Sequence, residues 1–265
     1  MRFGYCTGFA TPVKDAADYG LLRDIEGAGY DYVEFPLALV AALPDRSFDE
    51  VEAYLKDSRL GADACSNMFP PTLRLTGPAA DFDAAADYLR GAFRRMERIG
   101  AKTIVFGSSG ARNLPQGTPR EEGLRQLTEF LLRHTVPLLE EHDLTLAVEP
   151  IGSYEANFIN TLRDGMELVN SVNHPRVRLL ADSVHVLYEG EDIGDLRRFA
   201  PYLRHVHVCE DLRALPVPAP SPKLREFLRV LKETGYGGGV SFEPVPYPRE
   251  DMARALEIVR ERLGR

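Results

Sequence analysis

Eight short runs rich in β-branched and aromatic residues alternate along the chain with longer stretches whose apolar residues recur at helical spacing. That alternation predicts repeated strand–helix crossovers and a parallel sheet. The runs are Phe3 to Phe9, Tyr30 to Phe35, Ala62 to Met68, Thr103 to Gly107, Thr145 to Pro150, Val177 to Asp182, His205 to Glu210 and Val240 to Pro244. Between them Leu124, Leu127, Phe130, Leu131 and Leu138 fall at helical spacing, as do Leu224, Phe227, Leu228 and Leu231. Ala28-Gly29-Tyr30, Ile99-Gly100-Ala101 and Thr234-Gly235-Tyr236 each place glycine where a helix ends through positive φ before the next strand. Eight such units in 265 residues, with no Pro, Gly or Ser-rich linker and no internal duplication, predict an α/β fold. The expected architecture is one (β/α)8 barrel domain over residues 1–265.

In a barrel of this kind the chemistry sits where the strands run out into the following loops, so a polar residue closing an apolar run is informative. Four successive runs supply one: Leu146-Ala147-Val148-Glu149, Leu179-Leu180-Ala181-Asp182, Val206-His207 and Val240-Ser241-Phe242-Glu243. Strand alternation puts Glu149 on the face of Ala147, Glu243 on that of Ser241, and His207 on that of His205. Any one of these alone would be a charge at a rim. Three carboxylates converging on a barrel mouth repel each other at low dielectric and stay ionised best around a cation. Glu149, Asp182, His207 and Glu243 are therefore the expected metal ligands. One imidazole among three carboxylates is a hard set that favours one divalent ion, Mn2+ first, with Mg2+, Co2+ or Zn2+ as alternatives.

The densest motifs are Val148-Glu149-Pro150, Phe158-Ile159-Asn160-Thr161, Ala181-Asp182-Ser183-Val184-His185, His205-Val206-His207-Val208-Cys209-Glu210 and Glu243-Pro244. With them the chain resembles the sugar isomerase and epimerase branch of the xylose isomerase-like barrels, particularly ketose 3-epimerases and hydroxypyruvate isomerases. The resemblance covers most of the chain. It implies that Glu149 and Glu243 double as the catalytic acid/base pair, and that Glu155, His185 and Arg213 hold substrate hydroxyls and carbonyl. The implied reaction moves a proton α to a carbonyl through an enediolate, on a ketose, a small hydroxy-ketone or a keto acid. A dehydratase acting on a keto-cyclitol or shikimate-like acid would begin with the same step and is the alternative. After Arg213 the family often continues with a Gly-rich acidic stretch; here the chain reads Ala214-Leu215-Pro216-Val217-Pro218-Ala219-Pro220, which leaves the substrate open.

The other polar candidates have equal structural explanations. Glu34 and Asn67 end strands two and three and either face the pocket or make interior pairs, and His205 reads as a satisfied core histidine one layer below His207. His134, His142 and His174 carry no constellation. Gly107-Ser108-Ser109-Gly110 could offer amides to a phosphate or be a bare turn, and Gly237-Gly238-Gly239 precedes a strand, whereas a dinucleotide fingerprint follows one.

Composition narrows the classes. A formal net charge of −8 argues against duplex nucleic acid as a partner. The histidines that an apurinic-site endonuclease of this fold would need after strands three and four are replaced by Ser66-Asn67-Met68 and Phe106-Gly107-Ser108. A sugar sensor without catalysis could dispense with one glutamate, yet both are present. No run of about 18 apolar residues occurs, so no membrane partner is expected. Met1-Arg2-Phe3-Gly4-Tyr5 shows no leader pattern. Three cysteines, Cys6, Cys65 and Cys209, cannot pair evenly. The cytoplasm is the expected compartment, the partner a small molecule, and a homo-oligomer is compatible with all of this.

Overall fold

A computed structural model describes residues 1–7, 17–245 and 249–265. Eight parallel strands close into a barrel in chain order: β1 Arg2–Cys6, β2 Tyr32–Pro36, β3 Gly61–Ser66, β4 Thr103–Phe106, β5 Thr145–Val148, β6 Val177–Asp182, β7 Leu203–Val208 and β8 Gly239–Phe242. The ring closes because β1 pairs with β2 on one side and with β8 on the other. The fold is the (β/α)8 TIM barrel expected from the alternation. Strand bounds differ by a few residues from the apolar runs. The first run was expected to reach Phe9, but β1 ends at Cys6 and Phe9 lies outside the described residues.

The shift at two strand ends has a local cause that matters for function. Glu149 and Glu243 stand one residue beyond β5 and β8, and each is followed by proline, which has no N–H to continue a ladder. Proline also keeps the residue before it extended. The two side chains thus continue the alternation of their strands while the backbone leaves the sheet. Inside the barrel Val105, Ala147 and Leu180 form a small apolar layer of their own, fully buried. The larger core lies between the sheet and the outer helices.

The helices show how the amphipathic pattern is spent. In the helix Phe82–Arg98, Asp81 caps the N-terminus by accepting from the Ala84 N–H, and Ala85, Leu89, Ala92, Phe93 and Met96 form the buried stripe. Burying one such phenylalanine stabilises the fold by roughly 1.5–3 kcal/mol. The helix then turns through Gly100 at φ +80 into β4, as Gly29 and Gly235 do before their strands. The stretch around Phe130 departs from a single helix. It runs Arg120–Phe130, widens into a π turn over Leu131–Thr135 and resumes at Val136–Glu141. Pro137 explains the break, since it cannot donate to the Arg133 carbonyl and its ring crowds that turn. Among the described residues no helix is long and apolar enough to cross a membrane.

Candidate active site

Sheet register brings the strand-end residues together. Asp182 on β6 lies beside His207 on β7, and His207 beside Ser241 on β8. Glu243, two residues beyond Ser241, stands one layer nearer the mouth. Ligand-type atoms of Glu149, Asp182, His207 and Glu243 all lie within 4.8 Å of one another, and all four residues are buried. His207 Nδ1 is 3.1 Å from Glu149 Oε1 and 3.3 Å from Glu243 Oε2. Asp182 Oδ1 accepts the Val184 N–H at 2.7 Å, leaving Oδ2 for the cluster.

His207 turns its other nitrogen away from the mouth, with Nε2 3.0 Å from Glu34 Oε1. Glu34 is completely buried and also meets His205 Nε2 at 2.8 Å and the Ser241 hydroxyl at 2.5 Å through Oε2. Of the two readings open for Glu34, the structure shows the interior pair, and His205 is the satisfied core histidine. A second group of ligand-type atoms, Cys6, Glu34 and His207, is also close. Glu34 already accepts from three donors there, and burial holds the Cys6 thiol above its ordinary range.

The three residues expected to hold substrate line the outer side of the cluster. Arg213 Nη1 donates to Asp182 Oδ2 at 2.8 Å and also to Glu243 Oε2. Its Nη2 stands 3.0 Å from His185 Nε2. The Gly152 N–H stands 3.1 Å from His185 Nδ1 on the other side of the ring. His185 and Arg213 stand side by side on the cavity wall. Glu155 reaches the same cavity from the loop after β5, and burial pushes its carboxyl above the usual range. The cavity, about 430 Å3, is lined by Glu149, Glu243, Glu155, His185 and Arg213 on one side and by Ser66, Asn67 and Ser108 to Gly110 on the other. Asn67 faces it. Ser108 accepts the Phe69 N–H on its hydroxyl at 3.0 Å, tying the loop after β4 to the loop after β3.

The electrostatics follow from burial opposed by pairing. Burial works against ionising Asp182, but Arg213, His185 and His207 outweigh it and hold the carboxyl down to about 2. Burial likewise disfavours a charged His207, yet Glu34 and Glu243 raise it well above the usual histidine range. Burial opposes an ionised Glu34 too, and its two histidines reverse that.

Two contributors escaped the sequence. Arg112 is fully buried and donates to the Phe106 carbonyl at 2.7 Å and the Glu149 carbonyl at 2.6 Å, pinning the ends of β4 and β5; burial lowers its guanidinium to about 10. Tyr154 sets its hydroxyl 3.2 Å from His185 Nδ1. Neither occupies a strand end, where alternation would have marked it. Gly107 is required by closeness: a Cβ there would lie 2.2 Å from Glu149 Oε2.

A closed parallel barrel with buried acids and a histidine at its mouth places the chain among the α/β barrels, whose active sites lie at the C-terminal ends of the strands. The chain belongs to the xylose isomerase-like TIM barrel family, whose model matches residues 22–262. A D-psicose 3-epimerase from Ruminiclostridium cellulolyticum is 30% identical over 114 residues, 43% of this chain, so the chain matches only 39% of that relative's length. A probable ketose 3-epimerase from Synechocystis is 25% identical over 202 residues, 74% of this chain and 68% of the relative. The crystal structure of D-psicose 3-epimerase with D-tagatose from Clostridium cellulolyticum H10 superposes with a TM-score of 0.85, covering 99% of both chains at 20% identity.

Proposed function

We propose that the protein is an enzyme, a sugar isomerase or epimerase that depends on one divalent cation and moves the proton on the carbon beside a ketose or hydroxy-ketone carbonyl. The observation that carries this reading is that Glu149 and Glu243 approach the same imidazole nitrogen from strands three apart, at 3.1 and 3.3 Å. The donor set fits such a cation: three buried carboxylates and one imidazole, with the outward-facing nitrogen of His207 directed at the acids. Glu149, Asp182, His207 and Glu243 would hold it, and when bound it supplies Lewis-acid polarisation of the substrate's carbonyl. Similarity to ketose 3-epimerases supports the same substrate class.

The chain's own groups then account for proton movement. One glutamate takes the α proton, and the second, across the cavity, returns one to the other face of the planar enediolate; an isomerase could use either or both. His185 and Arg213, side by side on the cavity wall, bind and orient a substrate oxygen. Before a cation enters the site, His185 is held by Gly152 and Arg213 by Asp182 and Glu243.

The test is a panel of ketoses, their phosphates and small hydroxy-keto acids incubated in D2O with Mn2+-loaded protein, read by NMR. Deuterium should enter at the carbon next to the carbonyl, and interconversion of two sugars should accompany it. Chelator-stripped protein should do neither until Mn2+ is returned. Full exchange in stripped protein, or loss of water instead of interconversion, would overturn the assignment; the second result would indicate a dehydratase.

A further inference from the structure

We propose that Glu34 is a positioning residue that fixes which nitrogen of His207 faces the cation site. This inference rests on the metal site proposed above. Glu34 is completely buried. Its carboxylate receives His207 Nε2 at 3.0 Å on one oxygen, and His205 Nε2 at 2.8 Å with the Ser241 hydroxyl at 2.5 Å on the other. An ionised carboxylate can only accept, so each of these neighbours must donate. One proton of His207 is thereby committed to Nε2, and Nδ1 is the nitrogen left for the cation, facing Glu149 and Glu243.

The same logic runs one step further into the barrel. The single proton of Ser241 goes to Glu34, so Tyr32, 2.9 Å from Ser241 Oγ, must donate to Ser241. Tyr32, Ser241, His205 and Glu34 thus form a directed chain whose acceptor end grips His207. Register supports the arrangement: His207 pairs with Ser241 across β7 and β8, and Glu34 is delivered from the opposite side of the barrel on β2. A carboxylate behind a ligand histidine orients the ring and raises its basicity, and removing such partners typically weakens metal binding about 10- to 100-fold.

Glu34→Gln keeps shape but replaces one acceptor oxygen with an amide donor. Turned toward His207 that donor would move the ring proton to Nδ1, into the cation site; turned the other way it opposes His205 and Ser241. The experiment is isothermal titration of the chelator-stripped full chain with Mn2+ alone, wild type beside Glu34→Gln, with thermal melting of both. Nitrogen-15 spectra of the Zn2+-loaded wild type report the His207 tautomer. We expect one strong site in the wild type, roughly 10- to 100-fold weaker binding in Glu34→Gln with a melting temperature within a few degrees, and a protonated Nε2. Equal affinity in the two proteins overturns the role of Glu34 and leaves the metal site standing. A wild type that binds no Mn2+ overturns both. Should Glu34→Gln fail to fold, the tautomer still decides: a proton on Nδ1 of the loaded wild type refutes the inference.

Discussion

Gly107→Ala is the sharpest probe of the geometry, because it adds one methyl group next to one oxygen. The added carbon would sit 2.2 Å from Glu149 Oε2, 3.3 Å from the Glu149 carboxyl carbon and 3.4 Å from Ile151 Cδ1. A carbon and an oxygen in contact need about 3.3 Å, so the carboxylate must retreat by roughly 1 Å while Ile151 is barely touched. Gly107 is not in a left-handed conformation, so alanine costs the backbone little. The displaced atom ends a flexible side chain, and the fold should give way there first. A misplacement of about 1 Å in a reacting group can reduce rate about 100-fold, which corresponds to ~2.7 kcal/mol of transition-state stabilisation. The assay pairs the rate of deuterium exchange into the best ketose with a thermal melt. A melting temperature within a few degrees of wild type and exchange slowed about 100-fold is the expected result. Wild-type exchange in a folded Gly107→Ala protein would refute the claim that Glu149 must occupy its present position to react.

Glu149→Gln and Glu243→Gln should each fold, keep most of their core, and lose about 10²- to 10⁴-fold in turnover; near-normal turnover in either removes that residue from the proton-transfer pair. The pH dependence of stability has a separate source in Glu191. This carboxylate accepts the Leu162 N–H at 3.0 Å, but burial first, and then Asp164, Glu189 and Asp195, push it up to about 7. A raised acid binds its proton more tightly when folded, so the contribution of Glu191 to stability should be greatest below about pH 4.5 and fall as pH rises toward 7. The full shift would be worth about 3 kcal/mol, and partial exposure reduces it to about 1–2. Denaturant melts of Glu191→Gln should lack that slope; an unchanged slope assigns it elsewhere. Leu180→Ala, in the interior layer with Val105 and Ala147, should cost about 3–5 kcal/mol by chemical denaturation, and a cost below 1 kcal/mol would mean that the layer collapses to fill the gap.

How much of this was legible follows from the range of each interaction. The barrel was readable because strand alternation and helical spacing are local, and so was the shared face of Glu149, Asp182, His207 and Glu243. Glu34 was visible as a strand-end acid, but its partners lie 171 and 173 residues away, and no local pattern announces such a pair. The proline that ends each of β5 and β8 was in plain view, yet its effect on the backbone needed the ladder to be seen. The π turn had a local signal in Pro137, overlooked because leucine spacing ran on through it. Arg112 had none: a positive residue in a Gly/Ser turn reads as solvated, and only the carbonyls of Phe106 and Glu149 make its burial tolerable.

Charge arithmetic at the mouth joins these parts. Glu34, Glu149, Asp182 and Glu243 bring four buried carboxylates into one network, against which stand Arg213 and a His207 with a carboxylate at each ring nitrogen. Four negative charges against two positive leave the cluster short of cationic charge. Two like charges about 4 Å apart at an effective dielectric of 20 repel by ~4 kcal/mol, so an acid cluster of this kind is costly unless its counter-charges are well placed. Arg213 shows how the chain places one: a single Nη1 contacts both Asp182 and Glu243. A divalent ion among the same oxygens would compete with that guanidinium and with the Nδ1 proton of His207. Entry of the ion should therefore release a proton and loosen Arg213 from the acids, freeing it for the substrate oxygen that it and His185 are arranged to receive. Ion binding and substrate binding at this site would then be linked through one side chain.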